Sequence, residues 1–563
     1  MSHSFVFKTE RPWPNKRLKK GTIVGHTTDS SCRLWVRTGG KGDFTLLYYA
    51  KPGNDQDDPI FATLKSVPFH ISSLPSHVKK HSFSINDFAT DTTYVADLDN
   101  LQPETTYCYA VHQKSSQTLE KRILVGQDRP HSFKTLPTNP VEIAFATYSC
   151  HKPFVKLLFS TSIVNLEMWE LLRRILKKQE DLAFVIGTGD QVYADGVKSL
   201  NIWNFLNKCM AKKPDGTLVP SEEEMLSWYR DIYRGYWGFN QVRQVHSNFP
   251  NYMMWDDHEL GDGWGSRYLK RQNKNELKKI IPELKNKPGM TKQDGLALVD
   301  RMESAGKKAF DEYQHSHNPK PEPGATSDQR DFGFYVGNHA AYYFLDGRGH
   351  RDIERDSHRI LGQDQFNRFL AWLNSAETKS RKFLFIVAGV PFVHLRSGLT
   401  QREESKILKK FGAEDDMRDH WENKLHDQER KAIFEALFNL SETAGVKVCI
   451  LSGDVHIAAG FKVQNNNGTI IYQLTSSSIS NDATRSLGVI MGGMVPRKGK
   501  TRDGYSFKRI AFYTGLNFSM IKTMGDEILF ELYALQWLED EDALDIYDRT
   551  LVEIPLIEQT LSF

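Results

Sequence analysis

The chain has 563 residues, 39% of them apolar and 25% charged, which gives room for roughly two to four domains and a sizeable core and excludes a disordered chain. Its 73 Lys and Arg stand against 70 Asp and Glu, a net charge of +3, so the charge gives no reason to expect nucleic acid or an anionic membrane as the main partner. No apolar run is long enough for a membrane-spanning helix. The opening residues MSHSFVFKTERPWPNKRLKKG carry no apolar stretch of the secretory kind, and Cys32, Cys108, Cys150, Cys209 and Cys449 are few, odd in number and widely spaced. A disulfide framework is not expected, and with Met1 as the true start the reading is a reducing, cytoplasmic setting.

The first part of the chain, residues 1–138, reads as an all-β domain. Residues 31–37 alternate, with Cys32, Leu34 and Val36 on one face, as a half-buried strand requires. FTLLYYA (44–50) and TYCYAVH (106–112) are rich in aromatic and branched residues. Leu101, Pro103, Thr105 and Tyr107 form a stretch that resembles the corner before strand F in fibronectin type III domains, where a tyrosine hydroxyl bonds back to the nearby backbone. Residues 128–140, with Pro130, Pro137 and Pro140, read as a last strand entering a linker.

From residue 139 to 563 short apolar strands alternate with amphipathic helices. Strands are expected at 143–146, 182–186, 383–387 and 446–451, and helices at 166–178, 364–373 and 432–440. That alternation points to a layered α/β architecture. Residues 267–331, rich in Lys and Asn and ending in PKPEPG (319–324), read as a charged helical insertion with a solvated face and a surface loop. The Gly-rich loop 491–504 is a candidate to cover or border a site, on its composition alone.

Four expected strand ends carry polar residues that packing does not call for. These are Cys150 and His151 in YSCHKP; Asp190, Tyr193 and Asp195 in GDQVYAD; Asp256, Asp257, His258, Glu259 and Asp262 in WDDHELGD; and Asp454 and His456 in SGDVH. Ligands of open α/β sheets bind beyond the carboxyl ends of the strands. Unpaired buried charges cost several kcal/mol or more, and a metal cation removes that cost. Thiolate, phenolate and carboxylate together suit iron, and zinc less specifically, while carboxylate oxygens suit Ca²⁺, Mg²⁺ or Mn²⁺.

The ordered series SCHKP, GDQVYAD, WDDHE, LDGR and LSGDVH resembles the PhoD family of alkaline phosphatases and phosphodiesterases, within the calcineurin-like metallophosphoesterases, over about residues 20–540. The resemblance implies a four-layer α/β/β/α core preceded by an N-terminal all-β fibronectin- or immunoglobulin-like sandwich. It also implies a site holding Fe³⁺ and Ca²⁺, with Zn²⁺, Mn²⁺ or Mg²⁺ as alternatives. Carried over motif by motif, Cys150, Asp190, Tyr193 and His456 would hold the iron, and Asp190 would bridge to the second metal, which Asp257 and Asp454 would also ligate. His258 takes the position of the superfamily's catalytic histidine.

Arg348 is a candidate phosphate clamp and Arg351 a weaker one, with a structural ion pair as the alternative for both. Asp346 is a candidate support for the site, and His394 reads as a satisfied core histidine, with a place near the site as the alternative. The glycines and histidine of LDGRGH, at Gly347, Gly349 and His350, depart from the family's usual LDTR. The reading is a metal-dependent hydrolase of phosphomonoesters, phosphodiesters or both, with metal-activated water attacking phosphorus in line. Its partner is a small-molecule phosphoester, with no nucleic acid and no membrane span. Two rivals stay open: a metal-stabilised, non-catalytic binding protein that uses the β-domain, and a metallonuclease. The near-neutral charge disfavours the second.

Overall fold

The computed structural model describes residues 13–52, 58–126, 129–157, 160–197, 200–211, 219–265, 291–351, 359–394, 420–482, 495–536 and 551–563. The Lys-rich start of the 267–331 segment and the first residues of the 491–504 loop lie outside them.

The N-terminal region is built from two antiparallel sheets. Cys32–Arg37 pairs with Gly21–Thr27 on one side and Thr93–Leu98 on the other. The second sheet centres on Gly42–Ala50 and Thr106–Ser115, which pair along their length, with Lys79–Ile85, Thr118–Leu124 and His131–Lys134 alongside. Cys32, Leu34 and Val36 of the first sheet share one apolar cluster with Phe44, Leu46, Phe83, Tyr107 and Val111 of the second. The alternation read from the sequence therefore places the inner face correctly. The opposite face is not left to water: Trp35 is fully buried, packs edge-on to Trp237, and donates from Nε1 to the Glu312 carbonyl at 2.7 Å. At the corner, the Tyr107 hydroxyl accepts the Gln102 N–H at 2.9 Å.

The remainder is a mixed α/β core of two facing sheets. In the first sheet Asn251–Met253, Leu182–Gly187 and Ala144–Tyr148 run parallel, and Asn517–Met524, Glu527–Ala534 and Ile557–Ser562 extend it antiparallel. In the second, Ala340–Phe344, Phe383–Val387, Lys447–Ser452 and Ile470–Ser476 are parallel neighbours. The sheets meet through Phe145, whose ring stands edge-on to Phe385 and Tyr342 at 4.9 and 5.5 Å. Outside the first sheet Tyr148 packs on Trp169 of the Glu167–Lys178 helix at 4.8 Å. Outside the second, Tyr343, Leu384, Ile386 and Ile450 join Phe366 and Phe369 of the Gly362–Asn374 helix and Ile433 and Leu437 of the Asp427–Ala444 helix. The order of layers is helix, sheet, sheet, helix. It explains why Phe383–Val387 reads FLFIV without alternation, since both of its faces are covered.

The charged 267–331 segment is helical over Lys292–Tyr313, but that helix is not peripheral. Leu298, Val299, Met302, Ala305, Ala309, Phe310 and Tyr313 are fully buried. Gly306 lets it approach the site loop closely, because a Cβ there would meet Leu260 Cδ2 at 2.0 Å. Thr291 and Asp294 cap its start reciprocally. The PKPEPG tract is exposed from Lys320 to Gly324, as a surface loop should be. Among the described residues no helix is long and apolar enough to cross a membrane.

Candidate metal centre

The parallel strands of both sheets release their chains toward one place. Ala144–Tyr148 leads to Cys150, Leu182–Gly187 to Asp190, Asn251–Met253 to Asp256–Glu259, and Lys447–Ser452 to Asp454 and His456. The turns are tight: Cys150, Asp190, Asp454 and His456 have φ of 56°, 57°, 67° and 54°. Non-glycine residues seldom occupy that left-handed region, and where they do the strain marks functional sites. Gly189, with φ of 118°, is required there on two grounds, since a Cβ would stand 2.7 Å from the Asp256 Cβ. Two backbone bonds knit the first pair of loops, from Cys150 N–H to the Gly189 carbonyl at 3.3 Å and from His151 N–H to the Asp190 carbonyl at 2.8 Å.

The six expected ligands come together in two adjoining groups. In the first, donor atoms of Cys150, Asp190 and His456 lie within 4.8 Å of one another. The Cys150 thiol is 3.4 Å from Asp190 Oδ2, and the Tyr193 hydroxyl lies 3.1 Å from the same oxygen and 3.3 Å from His456 Nε2. The same spacing joins Asp190, Asp257 and His258, and also Asp256, Asp257 and Asp454. Asp190 thus belongs to both groups.

The electrostatics of the cluster call for a cation. Among the described residues Asp190 Oδ1, Asp256 Oδ2 and Asp257 Oδ1 are buried without a hydrogen-bond partner. Burial, reinforced by neighbouring carboxylates, drives Asp190 and Asp454 well above the usual carboxylate range, with His258 opposing the rise at Asp190 and Arg348 opposing it at Asp454. Burial also pushes the Cys150 thiol and the Tyr193 phenol far up, and lowers His456 to about 3. The donors fit metal ions, with thiol, phenol and imidazole on one side of Asp190 and carboxylates with His258 on the other.

His258 is held from behind. Its Nδ1 lies 2.7 Å from Asp195 Oδ1, and Asp195 Oδ2 accepts the Asp262 N–H at 2.9 Å. Burial pulls the imidazole pKa down, but Asp195, Asp257 and Asp190 outweigh it and hold His258 well above its ordinary value.

Arg348 does not stand open as a clamp. It is fully buried: Nε bonds Asp256 Oδ1, Nη1 donates to the Trp264 carbonyl at 3.1 Å, and Nη2 lies 3.6 Å from Asp257 Oδ1. Arg351 Nε donates to the Gly347 carbonyl at 2.6 Å. Asp346 shapes this loop, accepting from Trp255 Nε1 at 2.7 Å and from the N–H groups of Arg348 and Gly349 at 3.0 and 2.8 Å. His394 is buried and stacks on His420, but neither ring nitrogen is hydrogen-bonded among the described residues, so it is a core histidine without the satisfied bonds expected of it.

Two contributors have roles that the sequence reading did not assign: Glu259, named there only among the polar strand-end residues, and Asn481, not named at all. Glu259 accepts the N–H groups of Gln191, Asp256 and Asp190 at 2.7, 2.9 and 3.2 Å and the Gln314 side-chain amide at 3.0 Å, tying one ligand loop to the other. The signal was present as the spacing of Asp256 and Glu259, a reciprocal cap. Asn481, whose Nδ2 is 2.8 Å from His456 Nε2 and 3.1 Å from the Tyr193 hydroxyl, follows a serine run and gives no such signal.

The Saccharomyces cerevisiae protein described as "Uncharacterized protein YGR266W" is 24% identical over 399 residues, 61% of this chain and 54% of the relative, so the chain spans about half of that protein's length. The solved structure described as "Structure of PhoD" shares the fold, with a TM-score of 0.59 over 96% of this chain and 89% of that one at 14% identity. A family model described as PhoD-like phosphatase matches residues 145–497. That match covers more than half of the chain and runs from the Cys150 strand past His456, and on it the chain belongs to the PhoD-like phosphatase family.

Proposed function

We propose that the protein is a metal-dependent phosphoester hydrolase. The observation that carries the reading is Asp190, a buried carboxylate shared by two adjoining ligand groups, with one oxygen that finds no partner among the described residues. Cys150, Asp190, Tyr193 and His456 would hold one metal, and Asp190, Asp257 and Asp454 its neighbour. The donor sets favour Fe³⁺ in the first position and Ca²⁺ in the second. When bound, the metals supply Lewis acidity and a water acidic enough to attack phosphorus near neutral pH.

The chain's own groups supply the rest. Asp195 fixes the His258 ring and keeps it protonated, so His258 can stabilise charge developing on a phosphoryl oxygen or give a proton to the leaving oxygen. Arg348 offsets the crowded Asp256 and Asp257 charges. Glu259 holds the loops in register. The N-terminal two-sheet domain is read as fibronectin-like, the substrate as a small phosphoester rather than nucleic acid, and the setting as cytoplasmic.

The test is elemental analysis of the purified protein with a visible spectrum and hydrolysis assays on chromogenic mono- and diesters, with and without Ca²⁺. Iron, a phenolate-to-iron colour lost in Tyr193→Phe, and calcium-dependent turnover are expected. A metal-loaded protein that hydrolyses neither ester would overturn the reading.

A further inference from the structure

With Arg348 spent on Asp256, Asp257 and the Trp264 carbonyl, a different cation faces the ligand cluster. Lys152 is half-buried, and its ammonium lies 4.8 Å from the centre of the Tyr193 ring. It makes no ion pair with a carboxylate among the described residues. The loop that presents it is anchored on both sides. Before it, the His151 ring takes Trp169 Nε1 at 3.0 Å and lies 3.0 Å from the Ser480 hydroxyl and 3.2 Å from the Tyr236 carbonyl. After it, Phe154 is fully buried, edge-on to Tyr236 at 5.0 Å. The backbone at Lys152 is therefore fixed while its four-carbon stem stays adjustable, which suits a point charge for an anion of variable position.

We propose that Lys152 binds the non-bridging oxygens of the substrate's phosphoryl group and favours phosphomonoester dianions over singly charged diesters. This rests on the hydrolase reading and names the substrate class within it. A monoester carries close to two charges at neutral pH and a diester one, so a cation at the edge of the ligand cluster adds more to binding of the first.

The experiment uses metal-loaded wild type, Lys152→Gln and Lys152→Arg. It measures metal content, calorimetric binding of inorganic phosphate, and KM for p-nitrophenyl phosphate and bis(p-nitrophenyl) phosphate. In Lys152→Gln, phosphate affinity should fall and monoester KM should rise about tenfold, the scale of one lost charge-assisted bond, with diester KM shifting less than about threefold. Metal content should hold, and Lys152→Arg should recover most of the loss. Unchanged phosphate affinity in Lys152→Gln, equal KM shifts for both esters, or a wild type that binds no phosphate would each overturn the proposal. Lys152-dependent phosphate binding without turnover of either ester would support the anion site and sink the hydrolase reading instead.

Discussion

The Nδ1 atom of His258 lies 2.7 Å from the Asp195 carboxylate, and the other oxygen of that carboxylate is fixed by the Asp262 N–H. Asp195 thus sets both the orientation of the imidazole and its charge. Burial alone would lower the His258 pKa, and Asp195 is the largest of the influences that raise it. Replacing Asp195 with Asn keeps the shape and removes the charge. Activity should fall about 100-fold, the lower end of what a positioned proton donor contributes. The alkaline limb of the rate profile should move to lower pH, because His258 then loses its proton earlier. A variant with reduced rate and an unmoved limb would show that Asp195 acts only on packing.

Glu259 offers a test of how the ligand loops are held. Its carboxylate accepts three backbone N–H groups, from Asp190, Gln191 and Asp256. Glu259→Ala strands these donors in the interior at roughly 1–3 kcal/mol each. Thermal stability should drop, and bound metal should be lost more readily, since the Asp190 and Asp257 loops are no longer tied together. Metal titration followed by elemental analysis after dialysis checks this. Full retention of metal alongside a lower Tm would assign Glu259 to folding alone.

Much of this architecture was legible because strand-end polarity has no packing explanation. Cys150, Asp190, Asp257, Asp454 and His456 follow apolar runs whose lengths suit strands, and the fold brings them within reach of one another. What was not legible depends on contacts between distant parts of the chain. The helix Lys292–Tyr313 looked solvated because its charged residues catch the eye, yet its apolar stripe enters the core and its Gly306 admits Leu260. The outward face of the Cys32–Arg37 strand looked open, but Trp35 reaches Glu312 on that same helix. Arg348 read equally as clamp or ion pair, and only the placement of Asp256, far away in sequence, decides for the pair.

The junction between the β-domain and the core turns on Asp91. It is buried, pairs with Arg37 at 2.9 Å and Arg234 at 2.7 Å, and receives the Tyr313 hydroxyl. Burial raises its pKa, but Arg234 and Arg37 prevail and hold it below the ordinary value. Its contribution is therefore present above the unfolded-state pKa and lost as pH falls through the folded one. Asp91→Asn leaves two guanidinium groups short of a counter-charge, at about 3–5 kcal/mol for breaking such a pair. Denaturant unfolding at pH 7 should show the loss, and the difference from wild type should shrink toward pH 3. An equal difference at both pH values would mean that the charge is not what matters there.

Acid should weaken the protein through histidines buried in neutral form. Burial lowers His26 and His315 to about 4, and His151 and His246 to about 3. Their folded pKa values lie below the unfolded value near 6.5, so the unfolded chain takes up protons first as pH falls. Stability is complete above pH 6.5 and drains away between there and about pH 3–4. His246 isolates one imidazole, because its ring stands edge-on to Trp237 at 5.2 Å and to Trp169 at 6.0 Å, and its Nε2 has no partner among the described residues. Phenylalanine preserves that ring packing and cannot take up a proton. In His246→Phe the slope of unfolding free energy against pH, measured by urea titration from pH 6 to 4, should fall by about 1.4 kcal/mol per pH unit, the value for one proton. An unchanged slope would mean that His246 is not among the groups whose proton uptake on unfolding weakens the protein in acid.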